Sequence, residues 1–305
     1  MLTKSRSLAV DSIAYDLEDS VTSSQKATAR TNIRHFLNQP RAPGIREVGV
    51  RINSVESGLA EEDLREVLQS PAQSLDSIVV PKVNSASDLH FITDMLRHLL
   101  PSRHPSSSAS SSQQPPPLRI LALIESARAI ISLPALTTST PYLSGLIFAA
   151  EDFAHDLSLT RTPSLTEFLY ARSAIVTAAR AARLPSTIDL VCTAYGPPTG
   201  LSTLEHECRG GKGLGFNGKQ VIHPAQVEVA QRVFAPEEAE VEWAVRVLVA
   251  DEKAGSRDGR GAWTLEGLMI DRPVVERAAG LVRRAELCGI DVGAAMERWK
   301  GQEPE

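Results

Sequence analysis

Residues 119–156 read RILALIESARAIISLPALTTSTPYLSGLIFAAEDFAHD. Two short apolar runs, Arg119–Ile124 and Leu143–Ala149, each lead into acidic residues, Glu125 after the first and Asp152 after the second. Continuous apolar character over five to seven residues predicts strands covered on both faces, as in a parallel sheet. The same kind of run recurs outward at Ser12–Asp16, Val48–Ile52, Ser77–Val80, Thr187–Cys192 and Gly218–Ile222. Helix-like stretches alternate with them at Ser24–Leu37, Leu59–Leu68, Ala86–Leu100 and Ser164–Ala182. The last of these is Ala-rich and free of Gly and Pro, so its helix propensity is high. About seven strand-then-helix units predict an α/β fold.

Two α/β architectures fit such a pattern, an open doubly wound sheet and a closed eight-stranded barrel. Polar residues recur just after the strands: Asp16 to Asp19, Arg51 and Asn53, Lys82, Glu125, Asp152 and His223. In a barrel those ends share one mouth, whereas an open sheet spreads them along a crevice. The distribution therefore predicts a (β/α)8 barrel, of which seven strands are visible with almost nothing before the first of them, followed by a C-terminal helical extension. The expected division is a core over residues 1–234 and an extension over 235–305. Pro236 marks a helix start before Glu237–Ala250, and Ala262–Ile270 and Pro273–Leu287 follow a Gly-rich loop. A low-complexity insert at 101–117 holds seven Ser and five Pro and reads as a surface excursion.

The 305 residues are 42% hydrophobic and 23% charged, enough apolar material for a core and against wholesale disorder. A formal charge of -5 offers no basic stripe, so a nucleic-acid partner is not expected. No apolar run reaches the roughly 20 residues of a membrane-spanning helix, and no membrane partner is expected. Cys192, Cys208 and Cys288 are too few and scattered for a disulfide framework or a four-thiolate zinc site.

Glu125 and Asp152, at consecutive strand ends, can share one hard divalent cation such as Mg2+, or each can simply cap the following helix. Glu151 and Asp156 are nearby alternatives. Three carboxylates in the run Asp16-Leu17-Glu18-Asp19 repel one another unless cations or donors compensate them. Arg51 and Asn53 alternate on their strand and point the same way. Arg51 can bind a substrate carboxylate or carbonyl, or form an ion pair with the acidic run. Lys82 offers a further cation for anion binding. The stretch Gly210 to Gly218 (GGKGLGFNG) is no P-loop, because no GK[ST] follows in frame and its strand comes after it.

The ordered strings DLED, VRINSVESGLAEEDL, VVPKV, LIESA, FAAEDFAHD, IDLVC and GFNGKQVIHPAQ resemble the HpcH/HpaI aldolase and citrate lyase beta-subunit superfamily. The match is to its citrate-lyase-beta-like branch, from Asp11 to about Leu287 apart from the Ser/Pro insert. That resemblance implies a Mg2+-dependent carbon–carbon lyase acting on a 3-hydroxyacyl-CoA, with citramalyl-CoA cleaved to acetyl-CoA and pyruvate. Malyl-CoA cleavage or synthesis, a CoA-independent 2-keto acid aldol reaction, and a degenerate non-catalytic member are the alternatives. By resemblance Glu125 and Asp152 hold the metal, and Arg51, Asn53 and Lys82 contact substrate. Glu18 and Asp19 belong to the network beneath the metal. Asp271 is matched to an acid that acts across the subunit boundary of a homotrimer, whose C-terminal extension completes a neighbouring site. Family members begin with an additional Arg-bearing strand, and the segment Thr193 to Gly200 departs from the family pattern at Ala194. Animal relatives imply a mitochondrial location, and a genuine start at Met1 a cytoplasmic one.

Overall fold

A computed structural model describes residues 2–69, 74–105, 116–196, 199–257 and 261–305. Residues 106–115 of the Ser/Pro stretch, 197–198 of the departing loop and 258–260 of the Gly-rich loop lie outside the described residues. The chain forms two compact units, Met1–Ala230 and Gln231–Glu305.

The first unit repeats strand and helix. After α1 (Leu2–Ser5) come β1 (Val10–Asp16), α2 (Lys26–Leu37), β2 (Ile45–Arg51), α3 (Ala60–Val67), β3 (Ser77–Val80) and α4 (Ala86–Leu99). They are followed by β4 (Arg119–Ile124), α5 (Ala127–Thr137), β5 (Leu143–Phe148), α6 (Ala150–Asp156) and α7 (Leu169–Ala181). β6 (Ser186–Asp189), α8 (Gly200–Leu214) and β7 (Gly218–Lys219) complete the repeats, and α9 (Val227–Phe234) runs across the boundary between the units. The seven strands make one parallel sheet in the order β1-β2-β3-β4-β5-β6-β7. Sequential order with no strand skipped is barrel order rather than doubly wound order. Among the described residues no pairing joins β7 to β1, so the barrel is open on that side.

Alternation along the strands divides the core into two layers. Val79, Leu121, Leu123 and Ile147 cluster on the inner face, with Ala149 and Ile188 against them. The alternate residues Ile78, Val80, Ile120, Ala122, Ile124, Leu146 and Phe148 are equally withdrawn from solvent, at 0% exposure, on the outer face. Burial of each large aliphatic side chain contributes about 1.5–3 kcal/mol. Phe148 meets Phe153 and Phe168 edge-on, at centroid distances of 5.4 and 5.8 Å. On the open side Val10 and Ala14 of β1 and Lys219 to His223 line a cavity of about 350 Å³ floored by the inner-face cluster.

All seven strands fall on the expected runs, but β1 and β2 begin earlier, at Val10 and Ile45, and the last two strands are shorter. β6 stops at Asp189, and β7 is a two-residue strand. The carbonyls beyond β6 accept from side chains instead: Leu190 from Lys219 at 2.8 Å, Val191 from Arg161 at 3.0 Å, and Cys192 from Gln226 at 2.9 Å. The Gly-rich stretch closes α8, whose end is capped by Gly215 at φ 99°, and runs into β7 at Gly218. Gly211 lets α8 approach a buried ion pair, because a Cβ there would lie 2.5 Å from an Asp189 carboxylate oxygen. That carboxylate is gripped by Arg172 at 3.0 and 2.6 Å.

In the second unit α10 (Glu238–Arg257) precedes an antiparallel hairpin, β8 (Ala262–Leu265) and β9 (Leu268–Asp271), and then α11 (Arg272–Leu287) and α12 (Val292–Trp299). Ala262–Ile270 is therefore a hairpin, turning at Glu266 and Gly267 with φ 52° and 76°, the left-handed pair that a tight hairpin requires. Val245, Ala244, Trp263, Leu265, Ile270, Ala278 and Ala285 form its core. No helix among the described residues is long and apolar enough to cross a membrane. All three cysteines are free: Cys192 and Cys208 are buried and Cys288 is exposed.

Candidate active site

The C-terminal ends of β1 and β2 bring opposite charges together. Asp16 is the last residue of β1 and pairs in register with Arg51, the last of β2. Arg51 donates from Nε to Asp16 Oδ1 and from Nη2 to Oδ2, both at 2.7 Å. Its Nη1 lies 2.9 Å from Glu18 Oε2 and 3.3 Å from Asp19 Oδ2. One guanidinium thus compensates the three carboxylates of the acidic run. Burial disfavours ionised Asp16, but the bonds from Arg51, the Ser20 hydroxyl and the Glu18 amide outweigh it and hold its pKa at about 2. Burial also works against the Arg51 charge, and the Asp16 bonds reverse that, leaving its pKa above the usual guanidinium value.

Lys82 follows β3 and joins the cluster, with Nζ 2.9 Å from Glu18 Oε1 and 3.7 Å from Asp19 Oδ1. The Glu18 bond raises the Lys82 pKa, while burial raises that of Glu18. Lys82 has φ 50°, a left-handed conformation unfavourable for a side-chain-bearing residue. Its backbone N–H is directed at the Glu125 carboxyl, directly after β4.

Glu125 is only 4% exposed, and its Oε1 has no hydrogen-bond partner. Burial, with Asp152 and Glu18 adding repulsion, pushes its pKa up to about 7. Asp152 lies in the first turn of α6 rather than at the strand end itself, and is exposed. Among the described residues no three His, Cys, Asp or Glu side chains assemble into a ligand group. Two carboxylates, one carrying an orphaned buried oxygen, fit Mg2+, which takes one or two protein carboxylates and completes its shell from water and substrate.

Asn53 sits beneath this cluster at 4% exposure, with both ends of its amide engaged. Its Nδ2 donates to Asp63 Oδ2 at 2.7 Å, and its Oδ1 accepts from Lys26 Nζ at 2.6 Å. Lys26 also donates to the carbonyls of Leu17 and Glu18, at 2.6 and 2.8 Å. Arg30 closes the network on Asp63 at 2.6 Å. The structure thus gives Asn53 a supporting position. Lys26, which holds the acidic run from behind, was not legible beforehand, since a lysine opening a helix is ordinary.

His223 caps the short turn at Pro224–Gln226 through Nδ1, and its ring stacks on Tyr195 at 5.1 Å. The cavity on the open side reaches the charged cluster only through Arg51. In the second unit Asp271 ends β9 and caps α11, accepting from Val274 N–H at 3.3 Å.

Comparison with known proteins gives this geometry a context. The family model for HpcH/HpaI aldolase/citrate lyase matches residues 1–224. The chain is 34% identical over 295 residues to the citrate lyase subunit beta of Escherichia coli K12, covering 95% of this chain and 90% of that protein. It is also 34% identical over 292 residues to the mitochondrial citramalyl-CoA lyase of Homo sapiens, covering 93% and 81%. Among solved structures, it resembles the protein CitE of Mycobacterium tuberculosis in complex with magnesium, acetoacetate and coenzyme A. That likeness has a TM-score of 0.67 and 27% identity over 91% of each chain. A citrate lyase from Burkholderia xenovorans, 21% identical over 92% of this chain and 86% of that one, shares the fold with a TM-score of 0.72. This chain is a member of the HpcH/HpaI aldolase/citrate lyase family.

Proposed function

We propose that the chain is a Mg2+-dependent carbon–carbon lyase that cleaves citramalyl-CoA to acetyl-CoA and pyruvate. The observation that carries this reading is the buried Glu125 oxygen without a donor, with Asp152 and Lys82 near enough to act on its charge. Glu125 and Asp152 would hold the ion, which supplies Lewis acidity toward substrate oxygens. The likeness to a protein solved with magnesium, acetoacetate and coenzyme A, and to citramalyl-CoA lyase, supports both the ion and the substrate class.

The chain's own residues do the rest. Arg51, oriented by the Asp16 fork, presents positive charge to a carboxylate or developing carbonyl oxygen of the acyl portion. Asp16 stays ionised at every working pH and so keeps that orientation. Glu18 and Asp19 tie Arg51 to Lys82, placing two cations on one side of the mouth. Cleavage turns the substrate's tertiary hydroxyl into the ketone of pyruvate, the hydroxyl proton passing to water, which in turn supplies the proton carried by Asp271. The electron pair of the broken bond passes to the acetyl thioester as an enolate. Asp271 is the acid assigned to protonate that enolate, acting in a neighbouring copy's site within a homotrimer.

The decisive experiment is steady-state cleavage of citramalyl-CoA by the purified chain, with and without Mg2+, read by coupled pyruvate detection. Pyruvate that depends on Mg2+ supports the assignment. Silence from folded protein overturns it, and malyl-CoA and free 2-keto acid aldols are then the substrates to assay.

A further inference from the structure

The loops after β3, β4 and β5 are joined by hydrogen bonds close in sequence to the residues facing the mouth. Asn84, two residues beyond Lys82, accepts at Oδ1 from the Ser126 hydroxyl at 2.5 Å. Ser126 follows Glu125 directly and caps α5, accepting from Ala129 N–H at 3.1 Å. The next residue, Ala127, donates its backbone N–H to Asp156 Oδ2 at 2.8 Å. Asp156 closes α6, four residues after Asp152, and so on the same helical face.

We infer that Asp156 is a positioning residue that fixes the Asp152 carboxylate relative to Glu125. A charge-assisted bond from a helix-terminal N–H is short and directional. Here it ties the helix that carries Asp152 to the turn that carries Glu125. Without it, α6 keeps its buried anchors, Phe153 and Ala154, but loses this tie to the turn after β4. Two ligands on separate short elements then bind a cation less well, because ordering them must be paid from the binding free energy. This inference rests on the reading of Glu125 and Asp152 as metal ligands.

The test is divalent-cation affinity measured on substrate-free protein, by calorimetry with Mg2+ and by electron paramagnetic resonance with Mn2+. It compares wild type, Asp156→Ala, Asp156→Asn and Glu125→Gln, with thermal melts of each in EDTA. The expected result is about tenfold weaker binding in Asp156→Ala. Asp156→Asn, whose amide oxygen can still accept from Ala127, should recover most of that loss. In Asp156→Ala, kcat for pyruvate release should return toward wild type at saturating Mg2+. Unchanged affinity in Asp156→Ala, with Glu125→Gln binding nothing, overturns the positioning role and leaves the metal site standing. Equal losses in Ala and Asn also overturn it. A wild type that binds neither ion overturns the metal reading and this inference together.

Discussion

Arg51 holds Asp16 through two parallel hydrogen bonds of 2.7 Å, Nε to Oδ1 and Nη2 to Oδ2, while its remaining nitrogen faces Glu18 and Asp19. A lysine ammonium is a point charge and cannot span both oxygens of one carboxylate while reaching two more. Arg51→Lys should lower kcat/KM about 100-fold, the scale for loss of one preorganised donor. Steady-state kinetics checks this, and a variant within threefold of wild type would show that charge alone suffices.

The same pair predicts behaviour in acid. Asp16 ionises at about 2 in the folded chain against an ordinary 3.8. Its contribution to stability is therefore complete above about pH 4 and disappears as pH falls through about 2. Asp16→Asn should be less stable than wild type at pH 6, and the gap should narrow between pH 4 and pH 2. Urea unfolding at stepped pH measures it, and a constant gap would refute the assignment.

Glu125 is buried with one oxygen unpartnered, so the site resists the charge it must carry. In EDTA at pH 8, Glu125→Gln should melt about 2 °C above wild type, since a neutral amide removes the buried charge. Added Mg2+ should raise the melting temperature of wild type and leave the variant unmoved. Differential scanning fluorimetry with and without Mg2+ reads both effects. A variant that melts lower and still responds to the ion would contradict them.

Gly211 is where helix α8 touches a locked carboxylate. The added methyl of Gly211→Ala would meet Asp189 Oδ2 at 2.5 Å, and Arg172 prevents that oxygen from swinging aside. Overpacking of this kind costs about 1–3 kcal/mol. The urea midpoint of the first unit should fall accordingly, whereas Gly213→Ala, with open space around it, should change little.

Much of the fold was legible because apolar runs and helical stretches alternate cleanly. β3 and β4 begin and end where Ser77–Val80 and Arg119–Ile124 predicted, flanked by polar residues that stop the run. β6 was overextended because Leu190 to Cys192 are as apolar as a strand. Their carbonyls instead receive Lys219, Arg161 and Gln226, long-range partners that no local pattern reveals. The charged rim was readable for a similar reason: Arg51 ends a strand, Lys82 and Glu125 follow one, and parallel strands deliver such residues to one end. The supports behind the rim were not. Lys26, Asp63 and Arg30 are ordinary helix residues in sequence, and only the packing of α2 and α3 against the sheet converts them into a buried polar network.

The three thiols divide the chain into a reactive place and two protected ones. Cys288 is exposed, whereas burial raises the pKa of Cys192 and pushes that of Cys208 up to about 12, so neither buried sulfur is a competent nucleophile in the folded state. Alkylation of the native protein should therefore stop at one label, on α11's C-terminal cap, and proceed to three only as the sheet opens around β6 and α8. The arrival of the second and third labels is then a clock for local unfolding of the first unit, kept by the molecule without any engineered probe.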